Sequence, residues 1–296
     1  MPRALSPLLR RSAGLLPLLA ALLSPSAQAL DVDAGDYTAL PAGTTLGLVY
    51  AQHASRDKLY AAGDKLPGRN GLDSDIGILR GVRYMEIGGK IVDPQFLLPF
   101  GKLKGKDDLS VLGSNSGVGD LILAATVWFN KPSDTTHFGI TPFLILPTGQ
   151  YDRNDPLSLG ENRWRFVLQS GFITPVTDKL TLDLIGDVTV FGKNSDFGPA
   201  GQTLKQKPQV QLQSYLRYAV VPGGDLRLGW SHTSGGETRV DGVDRNDRLS
   251  SQKVQFGGSY FVRPTTQLTL TLGRDLSVRQ GFKEESRVNL RLLQVF

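Results

Sequence analysis

The sequence predicts an all-β chain, a transmembrane antiparallel up-and-down β-barrel of about twelve strands. Three observations predict it. The chain closes on a segment in which Val288, Leu290, Leu292 and Phe296 share one parity while Arg287, Asn289 and Arg291 share the other. Such period-two segments recur along the chain, and the connections between them alternate between short and long. Aromatic residues collect at the segment ends. Because side chains alternate across a strand, a wall with hydrocarbon outside and a polar interior must read this way. The closing strand alone would also suit a soluble sandwich, which would instead scatter its aromatics through a core.

In chain order, Arg3, Arg10 and Arg11 precede an apolar stretch from Ala13 to Leu23, and Ala27-Gln28-Ala29 offers small residues at the positions a signal peptidase reads. Residues 1–29 are therefore expected to be a cleaved signal peptide and the protein to reach the outer membrane. The stretch is too short for a spanning helix and Pro17 interrupts it. The residues around Arg10-Arg11 do not continue a twin-arginine export motif. Residues 30–43 form a short periplasmic or lumenal segment, whose Asp31, Asp33 and Asp36 suit a small plug facing lumenal arginines.

Residues 44–296 make up the barrel. Period-two segments fall near 44–53, 75–85, 90–100, 117–128, 137–147, 162–173, 180–191, 208–220, 225–233, 252–262, 266–276 and 285–296. Arg80 breaks the apolar parity of the second. Short turns such as Glu86-Ile87-Gly88-Gly89 and Val221-Pro222-Gly223-Gly224 belong in the periplasm with both termini; long polar loops at 54–74, 101–116, 148–161, 192–207 and 234–251 belong outside. Tyr84, Trp128, Phe129, Phe138, Phe172, Tyr218, Tyr260, Phe261 and Phe296 lie beside the short turns, and Phe100, Trp164, Phe191 and Phe282 beside the long loops. Two girdles at the membrane boundaries are what these positions predict.

Composition agrees with that class. A mean hydropathy of −0.14 suits a barrel in which about half of each strand is polar. No mature stretch approaches the roughly 20 apolar residues of a helical span. The chain has no cysteine, which excludes a disulfide framework and a lipid-modified amino-terminal cysteine. Losing Arg3, Arg10 and Arg11 with the signal lowers the formal charge from +5 to +2, so the pI of 9.4 does not indicate a nucleic-acid partner.

Parity assigns the lumen. Between Leu180 and Phe191, Leu180, Leu182, Leu184, Val188 and Val190 take one side, leaving Thr181, Asp183, Asp187 and Thr189 on the other. Carboxylates are costly against lipid and therefore face inward. The same logic turns Asp93, Gln95, Asp120, Arg163, Arg165, Gln169, Gln209, Gln211, Gln213, Arg217, Arg227, Lys253, Gln255, Arg287, Asn289 and Arg291 into the lumen. A hairpin about Thr177 would set Arg165 diagonal to Asp187. These charges either brace the barrel by pairing across it or form a selectivity constriction, and both can hold. Pro94, Pro99, Pro142 and Pro147 fall within the third and fifth segments, where a proline cannot donate to a ladder. The wall there is kinked, either as a bulge that sets curvature or as a lateral opening toward lipid.

Several stretches resemble one family. They include Val92-Asp93-Pro94-Gln95-Phe96-Leu97-Leu98-Pro99-Phe100-Gly101, Gly117-Val118-Gly119-Asp120-Leu121, Leu146-Pro147-Thr148-Gly149-Gln150-Tyr151-Asp152 and Leu159-Gly160-Glu161-Asn162-Arg163-Trp164. These are similar to the phenol meta-pathway degradation family of proteobacterial outer-membrane proteins, over nearly the whole mature chain. The resemblance implies a barrel, often described as a transporter, linked to aromatic degradation by association and not by chemistry. It implies no catalytic or binding residue and no cofactor. The closing strand carries Gln294 where the assembly signal of such barrels prefers an aromatic.

The functional expectation is passive uptake of small apolar or aromatic solutes, with outer-membrane lipid and, through the strand ending in Phe296, the barrel-assembly machinery as partners. A non-conducting, structural or loop-presenting barrel is the alternative. A lipid-modifying enzyme is a third class, requiring an activated nucleophile and an oriented base. His53, His137 and His232 are the only histidines; His232-Thr233-Ser234 brings a hydroxyl close, but nothing else of a triad accompanies it. No zinc-site spacing is present. Asp152, Asp155 and Glu161 are read as solvated loop carboxylates or as Ca²⁺ or headgroup ligands.

Overall fold

The computed structural model describes residues 31–296, so the expected signal peptide lies outside the described residues. Twelve antiparallel strands form one wall: β1 Thr45–Ala61, β2 Asn70–Arg83, β3 Lys90–Asp107, β4 Ile122–Trp128, β5 His137–Ile145, β6 Arg165–Pro175, β7 Leu180–Phe191, β8 Gln209–Val221, β9 Gly224–Gly235, β10 Leu249–Arg263, β11 Thr266–Val278 and β12 Gly281–Val295. Each pairs with its neighbours in sequence, and β12 returns to β1, from Leu46 opposite Val295 to Tyr60 opposite Gly281. The N–H of Phe296 donates to the Thr45 carbonyl at 2.9 Å, so the last residue joins the seam. Closure removes the unpaired edges that would otherwise expose ladder groups to hydrocarbon.

Alternation decides which side each residue meets. On β7, Leu184 and Val188 are 44% and 42% exposed on the outer surface, whereas Asp183 and Asp187 are 1% and 4% exposed and turn inward. β2 inverts this pattern. Leu72, Ile76, Ile78 and Arg80 line the lumen, while Gly77 and Gly81 face outward. The rings of Phe100 and Phe96 lie over those glycines, and a Cβ at either position would run into them. Arg80 thus obeys parity; it is the apolar residues beside it that face the unexpected way.

Strand bounds depart from the sequence expectation where polarity contrast fades. Most of 54–74 and 101–116 is strand, because β1, β2 and β3 continue past the apolar band with polar residues on both faces. The connections 192–207 and 234–251 hold a small separate sheet of Asn194–Phe197, Gln202–Gln206, Thr238–Val240 and Val243–Asp244. Three girdle assignments are also corrected. Tyr84 and Trp128 are buried inside the barrel and Phe282 lines its cavity. The Trp128 indole N–H donates to Asp93 at 2.9 Å, a bond it could not make while facing lipid.

Prolines interrupt the ladders as expected, though not all from within strands. β2–β3 pairing stops at Val82 opposite Gln95, and a short strand, Met85–Ile87, takes up β3 again from Met85 opposite Val92, so Pro94 lies in the gap. β4–β5 pairing likewise skips Pro142. At Pro99, β3 changes partner from β4 to Ser114–Val118, and the Pro99 carbonyl accepts from the Gly119 N–H at 2.8 Å. Pro147 lies beyond the end of β5, in the connection to β6. The β6–β7 register sets Asp187 opposite Gln169 and Arg165 opposite Phe191, so the expected diagonal of Arg165 with Asp187 does not form.

Candidate functional site in the barrel lumen

Residues 31–43 run through the lumen, held by contacts around its circumference. Asp31 accepts from Gln211 at 3.0 Å and Arg287 at 2.9 Å, and Lys253 lies 3.3 Å away. Arg291 reaches Asp33 at 3.0 Å and Asp36 at 2.7 Å; Arg80 takes the other oxygen of Asp36 at 2.6 Å. On the far wall the Gly35 N–H donates to Asp183 at 2.6 Å, itself paired to Arg217 at 3.0 Å. Arg227 donates to the Ala34 carbonyl at 2.9 Å and pairs with Asp225. Tyr37 stands over Gly171, where a Cβ would collide with its ring, and its hydroxyl contacts Thr141 and Gln169 at 2.9 Å. Beneath it Trp128 packs edge-on against Tyr37 and stacks on Tyr84. Asp93 anchors this layer by accepting from Trp128, the Thr126 N–H and Gln95.

A second polar cluster centres on Glu284, which takes Arg56 at 2.5 Å, Arg287 at 2.6 Å and Lys253 at 3.2 Å, while its own N–H donates to Asp275 at 2.8 Å. Parity misses Glu284 because the β1–β12 register shifts between Ser55 and Arg56, turning Glu284 inward against the alternation set by Arg287 and Arg291.

The connection between β5 and β6 folds inward. Both oxygens of Asp120 cap it, accepting from the N–H groups of Gly149 at 2.9 Å and Glu161 at 3.0 Å. Asp120 sits in the break before β4, so its part here is to tether a loop. Gly149 packs against the backbones of Gly119 and Gly160, leaving no room for a side chain. Arg163 precedes β6 and pairs with Glu161 at 2.7 Å, its guanidinium over the Phe191 ring. Arg165 pairs with the same carboxylate at 3.0 Å. Burial pushes the Glu161 carboxyl up, but Arg165 and Arg163 outweigh it and hold it below the ordinary glutamate range. Asp187, deprived of Arg165, accepts only from Gln169 at 3.3 Å, and its Oδ1 has no partner.

Between these clusters lies a cavity of about 430 Å³, within the range of small-molecule sites. Its two sides differ. Leu72, Ile76, Ile78, Leu97, Ile122 and Phe143 from β2–β5, with Leu157 and Leu159 from the inward loop, form an apolar wall. Gln209, Gln211, Gln255, Glu284, Arg287 and Asn289 from β8–β12 form a polar one. Leu72, Ile76 and Ile78 defeat the parity rule because they share β2 with the outward Gly77 and Gly81. Every lumenal arginine and lysine described above has a carboxylate within ion-pair distance. The histidines are dispersed: His53 faces outward beside Asp75, His137 is buried near the Ala39 N–H, and His232 stacks on Trp230.

The family model described as "Putative MetA-pathway of phenol degradation" matches residues 55–292. A crystal structure of an outer membrane channel from Pseudomonas putida F1 is 41% identical, covering 90% of this chain and all of that one with a TM-score of 0.87. The transport unit of the autotransporter AIDA-I from Escherichia coli is 8% identical, covers 94% of this chain and 96% of its own, and has a TM-score of 0.50. The β domain of the Bordetella autotransporter BrkA is 9% identical, with 86% and 100% covered and a TM-score of 0.50. Both autotransporters share the fold alone. No curated protein matches this chain. A match over most of the chain, a close structural relative and a closed twelve-stranded wall agree, and the protein belongs to the phenol-degradation MetA-pathway family.

Proposed function

We propose that the protein is an outer-membrane channel for passive diffusion of small, uncharged apolar or aromatic solutes, exported by a cleaved signal peptide spanning residues 1–29. The observation that carries this reading is the apolar wall of β2–β5 facing the cavity. A lumen built only to pass ions or sugars has no use for Leu72, Ile76, Leu97 and Phe143 on its inner face. Partnered lumenal cations leave little free positive charge to draw in anions. The relative from Pseudomonas putida F1 supports the channel class. The amino-terminal segment narrows the axial path, which favours the non-conducting barrel as second reading.

Proteoliposome uptake separates the two. Neutral phenols are expected to enter faster than aromatic carboxylates or sugars, and absence of every flux together with absence of current in planar bilayers would leave the scaffold reading. The ladder gaps at Pro94 and Pro142 offer a lateral exit for a solute too apolar to pass the charged segment. In the same assay Pro94→Thr with Pro142→Val is expected to slow apolar uptake severalfold. Unchanged uptake would eliminate the lateral route.

A further inference from the structure

The outer face of β3 changes character abruptly. Phe96 and Phe100 are exposed among the apolar residues of the wall, and the next outward positions are Lys102 and Lys104, both exposed. At a rise of about 3.4 Å per residue these two positions stand roughly 7 and 14 Å along the strand from Phe100, where the boundary aromatic gives way to headgroups. Their inward neighbour Leu103 lines the cavity, which fixes the two lysines on the lipid side.

The carboxylates nearest in register are occupied elsewhere. Asp75 lies opposite Lys102 but bonds His53 at 2.7 Å, and Asp73 lies opposite Lys104 but takes Lys106 at 3.0 Å and the Ser55 hydroxyl at 2.8 Å. Lys102 and Lys104 have no ion-pair partner among the described residues. On the other flank Ser116 stands opposite Lys102 and Ser114 opposite Lys104, both serines exposed. Two unpaired cations flanked by hydroxyl donors, at the level where a bilayer's charged groups lie, suit a phosphate-bearing lipid.

We propose that Lys102 and Lys104, with the Ser114 and Ser116 hydroxyls, form a docking strip for the phosphates of an outer-leaflet glycolipid. The inference rests on the outer-membrane placement proposed above, and not on any flux through the lumen. The strip lies on the strand that carries Pro94 and Pro99, so a bound lipid would border the interrupted part of the wall.

Native mass spectrometry of the purified full-length barrel in detergent with a chelator, titrated with bisphosphorylated lipid A and with the same lipid stripped of phosphate, tests it. The phosphorylated lipid is expected to bind, and Lys102→Gln with Lys104→Gln to weaken it by on the order of tenfold. Lys90→Gln with Lys179→Gln, at the opposite rim, should leave binding unchanged, and Lys102→Arg with Lys104→Arg should retain it. Heat-modifiable migration on gels confirms that each variant is folded. Equal binding of the dephosphorylated lipid, or full binding by the folded double glutamine variant, overturns the proposal. Because binding is read without transport, a barrel that conducts nothing can still pass this test.

Discussion

Arg291→Leu is expected to release the amino-terminal segment and raise sugar flux through the barrel severalfold. Arg291 is 3% exposed, and its guanidinium is the ion-pair partner of Asp33 as well as one of two for Asp36. Removing one member of a buried pair costs about 3–5 kcal/mol, because the surviving charge stays desolvated. Here the stranded carboxylates sit on the amino-terminal segment and not on the wall. They regain water most cheaply if residues 31–36 leave the lumen. The β11–β12 and β12–β1 ladders around position 291 are backbone bonds that the substitution leaves in place. The barrel should therefore keep its heat-modifiable migration while liposome swelling in sugars accelerates. Unchanged swelling would mean that Tyr37 and the Gly35–Asp183 bond hold the segment without Arg291.

Leu72→Gln with Ile76→Gln is expected to cut uptake of a neutral phenol by about tenfold while leaving monosaccharide flux unchanged. Both side chains line the cavity from β2, and neither takes part in an ion pair. At about 25 cal/mol per Å² of apolar contact, losing some 60 Å² of solute burial costs roughly 1.5 kcal/mol, or a little over tenfold. Glutamine preserves much of the volume and introduces no charge, so any effect reports the polarity of the wall. Neither residue belongs to the tightly buried cluster of Ile122, Phe143, Ile145 and Val167, and the fold should tolerate the change. Phenol uptake equal to that of the unmodified protein would remove the apolar wall from the functional account.

Much of the architecture is legible in the sequence because a closed barrel obeys a single rule, alternation, applied twelve times. Asp183 and Asp187 on β7, and Arg287 and Arg291 on β12, are inward as that rule requires. It fails where register slips: Glu284 lies past the bulge, and so the hub joining Arg56, Lys253 and Arg287 could not be assembled from parity. It also fails where a strand exposes glycine outward. The fatty side of β2 points into the lumen because Phe96 and Phe100 supply the outer apolar surface over Gly81 and Gly77. Hydrophobic pattern alone cannot say that a neighbour's ring stands in for a missing side chain. Arg165 illustrates a third limit, since a hairpin centred one residue further along pairs Gln169 and not Val167 with Asp187. The arginine then turns to Glu161 in the inward loop.

A heavy-atom phenol locates the solute directly. Crystals of the barrel grown with 4-bromophenol should show a bromine anomalous peak in the cavity, against Ile76, Leu97 and Phe143. Bromine found only on the outer surface, or among the glutamines of β8, would contradict an apolar path through this lumen.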